Sequence, residues 1–299
     1  MFERKKIGLA LGSGGARGFA HIGVLKVLEK NKIPIDMIAG TSMGALIGAF
    51  YSNEPNSKKL EKDTLSEEWK KLFDYTFSRS GLMKGNKIEE FLEKKLDGIS
   101  FKELKIPLFV TAFDIDNNQE VIFHKGNVAK AVRASISIPG LFFPVENKKR
   151  ILVDGGVIDP IPSEILRKNG ADIIIAVNVN AIKHKKPITK IEAINEKRYK
   201  KIPSALRSTS RSIRVMSSEV CEADLYNNKA DFIIDINLED IDTLDFSKIK
   251  EAIKKGETEA RKCLRNLNKI TKPDLFKDFL NELIKINKDF EKNLKILKK

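Results

Sequence analysis

A mostly apolar run from Ile35 to Ala39, broken by Asp36, stops at Gly40, and a small-residue helical pattern begins after Ser42. The stretch Ile38-Ala39-Gly40-Thr41-Ser42-Met43-Gly44-Ala45 therefore reads as a strand, a sharp turn and a helix, with a serine at the apex. Gly40 and Gly44 frame Ser42 in the Gly-x-Ser-x-Gly spacing of a nucleophile elbow. The first glycine lets the chain turn tightly and the second lets the helix lie close to the strand. Ser42 then sits at a helix N-terminus, where free N–H groups favour developing negative charge. A chain built on such a turn is an α/β protein in which strand feeds helix.

A second strand-loop-helix unit precedes it. Ile7 to Leu11 reads as a buried strand, followed by Gly12-Ser13-Gly14-Gly15-Ala16-Arg17-Gly18 and a helix from about Ala16 to Lys30. A glycine-rich loop there presents backbone N–H groups that can hold a phosphate or an oxyanion. The dinucleotide fingerprint needs Gly-x-Gly-x-x-Gly, but Arg17 stands at its last position, and no acidic residue closes the second strand. Gly-Lys-Ser/Thr of a phosphate loop is missing too. The preferred reading is an oxyanion hole from the N–H groups of Gly14, Gly15 and Ala16. Arg17 either orients the loop or attracts anionic headgroups, and His21 reads as a packed, hydrogen-bonded helix residue.

Ile151-Leu152-Val153-Asp154-Gly155-Gly156 is a buried strand ending in an aspartate and two glycines. Asp-Gly pairs form turns, so the stretch gains meaning only from what Ser42 lacks. The chain has 3 histidines, His21, His124 and His184. Ser42, Asp154 and His184 follow the chain order of an α/β-hydrolase triad. His184, however, sits in Ile182-Lys183-His184-Lys185-Lys186-Pro187, where cations and water make a poor setting for an oriented base. His124, before Lys125-Gly126, reads as exposed.

Composition sets the outer limits. With 299 residues and 41% hydrophobic content the chain can bury a sizeable core. Its 2 cysteines, Cys221 and Cys263, have no metal-type spacing and suggest a reducing compartment without a disulfide framework. No apolar run reaches the ~20 residues of a bilayer span, so the expectation is a cytoplasmic protein, peripheral at most to a membrane. No metal and no cofactor is expected. The formal charge of +14 suits an anionic partner such as a membrane surface, although its lysines are scattered and for most of the chain read more simply as a basic surface throughout. It suits a nucleic acid equally well, but no recognised nucleic-acid motif accompanies it, so none is expected as a partner.

The remaining chain reads in order. Lys58 to Phe77 is an amphipathic helix, Asn86 to Leu96 another. Pro107 to Asp114 and Glu120 to His124 are paired strands around an Asp116-Asn117-Asn118 turn, and Val128 to Ser135 is a helix. The apolar stretch from Ser135 to Pro144 either shapes an acyl-chain groove or simply packs. Pro162 to Asn169 is a helix stopped by Gly170, Asp172 to Val179 a central strand, and 182–203 a basic loop. Ser204 to Tyr226 is helical, Phe232 to Ile236 a strand and Phe246 to Leu267 a helix. From Pro273, Leu275, Phe279, Leu283, Ile286 and Phe290 line one face of a last helix. It suits packing, membrane contact or a coiled coil. The expected division is thus 7–270 as one α/β domain, with its motifs in 7–166, and 271–299 as a basic amphipathic helix.

Together the glycine loop at 12–18, Gly-Thr-Ser-Met-Gly at 40–44 and Asp-Gly-Gly at 154–156 resemble the patatin-like phospholipase family. Ser-Ile-Ser-Ile-Pro at 135–139 resembles its pattern as well. One departure is Ser13, where many members carry glycine. The resemblance implies a three-layer α/β fold with a mostly parallel sheet and helices on both faces. It implies a Ser–Asp dyad without histidine: Ser42 as nucleophile, Asp154 as its base, and Gly14 and Gly15 as oxyanion donors. Gly12, Arg17, Gly18, Gly40, Gly44, Gly155 and Gly156 are the supporting motif positions. The implied reaction is hydrolysis of acyl esters in lipids, with phospholipid, lysophospholipid, monoacylglycerol and thioester all open. The rival expectation is a catalytically silent lipid-binding or regulatory module on the same fold.

Overall fold

The computed structural model describes residues 4–72, 74–78, 81–147, 149–181, 212, 215–223 and 230–271. The chain runs β1 (Ile7–Leu11), a 3-10 turn (Gly15–Phe19), α1 (Ala20–Lys30), β2 (Met37–Thr41), α2 (Met43–Asn53) and α3 (Ser57–Ser66). A 3-10 turn (Trp69–Leu72) leads to β3 (Tyr75–Ser78), β4 (Gly81–Met83) and α4 (Asn86–Leu96). Next come β5 (Leu108–Asp114), β6 (Gln119–Phe123), α5 (Val128–Ser135), β7 (Val145–Asn147) and β8 (Arg150–Asp154). α6 (Ser163–Lys168), β9 (Ile173–Asn178), β10 (Phe232–Asp235) and α7 (Ile249–Thr271) complete the path, with residues 215–223 helical between β9 and β10.

The central sheet has the order β10-β9-β1-β2-β5-β8-β7, with β6 on β5. Its first five strands are parallel, and β6, β7 and β8 add antiparallel pairs at one side. The two faces follow from strand alternation. Ile7, Leu9 and Leu11 of β1 and Ile175 and Val177 of β9 point into one core with Leu25, Leu46 and Ile253 of α1, α2 and α7. Ala10, Ala39 and Ala176 point to the opposite face, where small side chains let Leu166 of α6 and Cys221 pack closely. Helices therefore cover both faces, as the three-layer expectation holds.

α7 lies along α1 at a crossing of glycines. A Cβ on Gly23 would overlap the Ile253 carbonyl, and one on Gly256 would overlap the Ala20 carbonyl. The two backbones meet only because those positions have no side chain.

The largest difference from the sequence reading is at 58–77. The helix stops at Ser66, Glu67 turns extended, and a 3-10 turn and strand follow. Trp69 supplies the reason. Its Nε1–H donates to the Thr64 carbonyl at 2.8 Å, the acceptor a continuing helix would give to residue 68. The first helix also begins late, at Ala20, after a 3-10 turn. The last described helix begins at Ile249 and leaves Phe246 in the preceding turn. The elements expected at Asn86 to Leu96 and Val128 to Ser135 are α4 and α5. The basic loop 182–203 with His184, most of 204–214, and the helix from Pro273 lie outside the described residues. Among the described residues no helix is long and apolar enough to cross a membrane.

Candidate active site

Strand order reverses about β1: β2 lies on one side of it and β9, much later in the chain, on the other. In open α/β sheets the crevice at the C-terminal ends of such strands is where ligands bind. The glycine loop leaves β1 there, and the serine turn leaves β2 beside it.

Ser42 takes φ 56° and ψ −121° between β2 and α2. A non-glycine residue in that region costs about 1–3 kcal/mol and needs surrounding contacts to hold it. Its N–H donates to Ser135 Oγ at 2.8 Å, and its carbonyl accepts from Leu46 N–H at 3.1 Å. Thr41 Oγ1 donates to the Asp159 carbonyl at 2.9 Å and pairs with Thr111 Oγ1 at 2.7 Å. A Cβ on Gly44 would overlap the Leu11 carbonyl, so the first turn of α2 can touch the end of β1 only with glycine there. Gly40 packs under the same turn against Ala45, and Gly18 against Met43.

Asp154 reaches Ser42 through β5. Thr41 stands opposite Thr111, and Asp154 stands opposite the next residue, Ala112. β6 pairs with both Thr111 and Ala112. β2 and β8 therefore share the other edge of β5 and meet end to end. Ser42 Oγ donates to Asp154 Oδ2 at 2.6 Å, and both side chains are buried. Asp154 Oδ1 accepts from Gly156 N–H at 2.7 Å, while Gly155 packs on Thr111. Burial pushes the Asp154 carboxyl up to about 6, against the lowering pull of the Ser42 and Gly156 hydrogen bonds. No histidine approaches the pair among the described residues. His21 is buried on α1 and donates from Nε2 to the Gly12 carbonyl at 2.8 Å, and burial brings it down to about 4. His124 is exposed, as expected.

A buried cation supports the aspartate from behind. Arg133 Nη1 donates to Ser137 Oγ at 2.6 Å. Its other nitrogens donate to the carbonyls of Gly85, Lys84 and Phe143. The Ser137 carbonyl accepts the Asp154 N–H at 3.0 Å. Sequence reading noted Ser-Ile-Ser-Ile-Pro at 135–139 as a motif but gave Ser135 and Ser137 no role, and it passed over Arg133 on the preceding helix. The Ser-x-Ser alternation was the available signal.

The glycine loop distributes its amides unequally. Gly12 N–H donates to Val177, Ser13 to Pro160 and Ala16 to Thr243 carbonyls. The N–H groups of Gly14 and Gly15 have no hydrogen-bond partner among the described residues, and both glycines line the cleft with Ser42 and Asp154. Of the three amides expected to form an oxyanion hole, Ala16 N–H is committed to the Thr243 carbonyl at 2.8 Å, and those of Gly14 and Gly15 are not. Arg17 is buried, with Nε on the Ile241 carbonyl and Nη1 on Asn180 Oδ1. Asn180 Nδ2 in turn donates to the Ser13 carbonyl. Arg17 thus orients the loop, and burial removes it from headgroup attraction. Asn180, two residues past β9, was also missed; only its polarity at a strand end marked it.

Two cavities open at Ser42. One, about 580 Å³ of space continuous with solvent, carries the polar groups Ser13, Asp154, Asn180 and Ser217. The other, about 490 Å³, is almost wholly apolar, with Leu46, Ile88, Ile138, Leu141 and Phe142 among its walls. The Ser135 to Pro144 stretch thus faces a cavity as well as the core. Among the described residues, no group of three or more His, Cys, Asp or Glu side chains is placed to hold a metal ion.

The patatin-like phospholipase family profile matches residues 9–167. A lysophospholipase NTE1 of Candida albicans is 33% identical over 195 residues, covering 63% of this chain and 14% of that protein. An uncharacterized NTE family protein of Mycobacterium tuberculosis is 36% identical over 181 residues, covering 58% of this chain and 49% of its own length. The chain spans about half or less of the length of these curated relatives. Among solved structures, VipD from Legionella pneumophila superimposes with a TM-score of 0.57 at 17% identity, over 89% of this chain and 67% of that one. That likeness is one of fold.

Proposed function

The chain belongs to the patatin-like phospholipase family, and from that premise we propose that it is a serine hydrolase of fatty-acyl esters in phospholipids or lysophospholipids. The observation that carries the proposal is the 2.6 Å bond from Ser42 Oγ to a buried Asp154 whose carboxyl titrates near 6. A carboxylate raised to about 6 is ionised at neutral pH and still basic enough to take a proton in the transition state. The apolar cavity at Ser42 suits an acyl chain, and the open polar cleft suits the rest of the lipid.

Ser42 Oγ attacks the ester carbonyl carbon while its proton passes to Asp154 Oδ2. The carbonyl oxygen becomes an oxyanion, which Gly14 and Gly15 N–H groups receive. The tetrahedral centre collapses, the carbon–oxygen bond to the alcohol breaks, and Asp154 returns the proton to that alcohol. Water then attacks the acyl-serine, Asp154 takes its proton, and Ser42 recovers it as the fatty acid leaves. The N-terminus of α2 adds a favourable field at the reacting carbon.

An approach from a lipid surface is part of the proposal. Ser217 and Val157 line the cleft, Ser217 donates to the Gly156 carbonyl, and the exposed apolar Val215, Met216 and Ile158 neighbour these two residues in the chain. Apolar side chains there suit insertion among headgroups, with the net positive charge drawing the protein to an anionic, cytoplasm-facing membrane. The intact serine–aspartate pair favours this reading over a silent module.

A fluorophosphonate label and a panel of phospholipid and lysophospholipid substrates test it together. Labelling of Ser42, with hydrolysis lost in Ser42→Ala and Asp154→Asn, is expected. Full hydrolysis by folded Asp154→Asn would exclude the dyad.

A further inference from the structure

Trp69 borders three cavities. One is the apolar cavity at Ser42. The second, about 590 Å³, runs past Phe50, Leu60 and Phe91, and the third, about 890 Å³, past Leu65 and Ile249. Neither of the latter two is lined by Ser42. Trp69 lines all three cavities, and Phe246 is common to the apolar cavity and the third.

The indole is also held stiffly. It is 4% exposed, and its Nε1–H is fixed on the Thr64 carbonyl. Phe19 meets it edge-on with ring centroids 4.8 Å apart and Phe91 edge-on at 5.6 Å. Phe246 stacks on it at 6.4 Å with planes 20° apart. A ring clamped on several sides does not swing aside for a ligand, because each contact favours its present geometry.

We propose that Trp69 is the stop that sets acyl-chain length, the terminal methyl of the longest well-accepted chain resting on the indole. The inference rests on the acyl-hydrolase reading and names the specificity of that site. Trimming the indole joins the apolar cavity to the space beside Phe50, Leu60 and Phe91, and a longer chain then runs on into it. Each methylene buried beyond the present wall raises kcat/KM by roughly fourfold.

The test uses p-nitrophenyl esters from butyrate to palmitate in mixed detergent micelles. The full chain is compared as wild type, Trp69→Ala, Trp69→Phe and Ile88→Phe, with Ser42→Ala as the blank. Thermal melts and labelling by a short-chain fluorophosphonate establish which variants are folded. Wild-type kcat/KM is expected to rise with chain length to an optimum and then fall. Trp69→Ala shifts the optimum longer and raises the ratio of longest to optimal ester by roughly fifteenfold, two methylenes' worth. Trp69→Phe shifts it less, and Ile88→Phe, which fills the cavity, shifts it shorter. If Trp69→Ala does not fold, Trp69→Phe and Ile88→Phe decide through their opposite shifts. Chain-length profiles parallel to an active wild type in every folded variant overturn the stop alone. A wild type that cleaves none of the esters overturns the hydrolase reading, and the stop with it.

Discussion

Ser42 and Asp154 lie 112 positions apart, yet their side chains meet at 2.6 Å because β2 and β8 end on consecutive residues of β5. A one-residue slip of β8 against Ala112 would turn the Asp154 side chain to the other face of the sheet. The Ser137 carbonyl on the Asp154 N–H and the Arg133 contact behind it oppose such a slip. Geometry at the candidate centre is thus set by strand register, and the chemistry follows from how dry that register leaves the carboxylate.

Ionisation of Asp154 governs the first prediction. Burial raises its carboxyl to about 6, and only the carboxylate can accept the serine proton. kcat/KM is expected to rise about tenfold per pH unit below about 6 and to level off above it. Among the described residues no histidine partners the pair, so no limb is expected near ~6.5 from an imidazole; the raised Asp154 carboxyl predicts one near 6 instead. Ester hydrolysis followed from about pH 4.5 to about pH 8.5 at saturating and limiting substrate checks it. A flat profile across that range would remove Asp154 as the base.

The same shift has a consequence for stability. In the unfolded chain the carboxyl titrates near its ordinary value of 3.8, and in the folded chain near 6. Between those values the folded state holds the extra proton, so stability from this group is highest below about 4 and falls as pH rises through 6. Above about pH 7 the buried charge therefore costs stability, on the order of 3 kcal/mol from the two-unit shift. Asp154→Asn is expected to be inactive and more stable than wild type at about pH 8, with the advantage vanishing towards about pH 4. Urea melts at those two pH values read the difference. Equal stability at the higher pH would mean that water or another group already solvates the carboxylate.

Much of this centre was legible in the sequence because its parts are local. Gly40 to Gly44 encode a turn by steric need, and Asp154-Gly155-Gly156 encodes a strand end. What the sequence left hidden is non-local. Ala16 N–H is lost to Thr243, more than two hundred residues away, and no pattern around Ala16 announces it. Arg17 among its glycines could equally orient the loop or attract headgroups, and only the distant Ile241 carbonyl and Asn180 decide between the two. The helix read over 58–77 failed for a similar reason. Its apolar spacing is helical, but Trp69 gains more from the Thr64 carbonyl and a cluster of rings than from another helical turn.

Arg133 is expected to be among the least replaceable residues outside the pair. It donates to Ser137 Oγ and to three backbone carbonyls, with its guanidinium 5.7 Å over the Phe142 ring. Arg133→Met keeps the volume and removes every donor, leaving buried acceptors that each cost about 1–3 kcal/mol. A loss of several kcal/mol, or failure to fold, is expected by chemical denaturation. Arg133→Lys, with one ammonium for a planar fork, should recover only part of that loss. Full stability of the methionine variant would show that these carbonyls find water.

Ser135 offers a gentler perturbation of the proposed nucleophile. Its Oγ accepts the Ser42 N–H, and that bond helps hold Ser42 at φ 56°. Ser135→Ala leaves the amide buried without an acceptor and lets the strained turn relax, at about 1–2 kcal/mol in stability. Because Asp154 is untouched, the pH limb should stay near 6 while kcat falls roughly fivefold, the cost of a reacting oxygen held about 1 kcal/mol off its line. Ser135→Thr keeps the oxygen and should restore kcat if the added methyl is accommodated in α5. Labelling rates with a fluorophosphonate isolate the attack step from acyl release. A variant labelled as fast as wild type would mean that the elbow holds its shape without the Ser135 hydroxyl, with Gly44 against Leu11 sufficient to keep Ser42 in place.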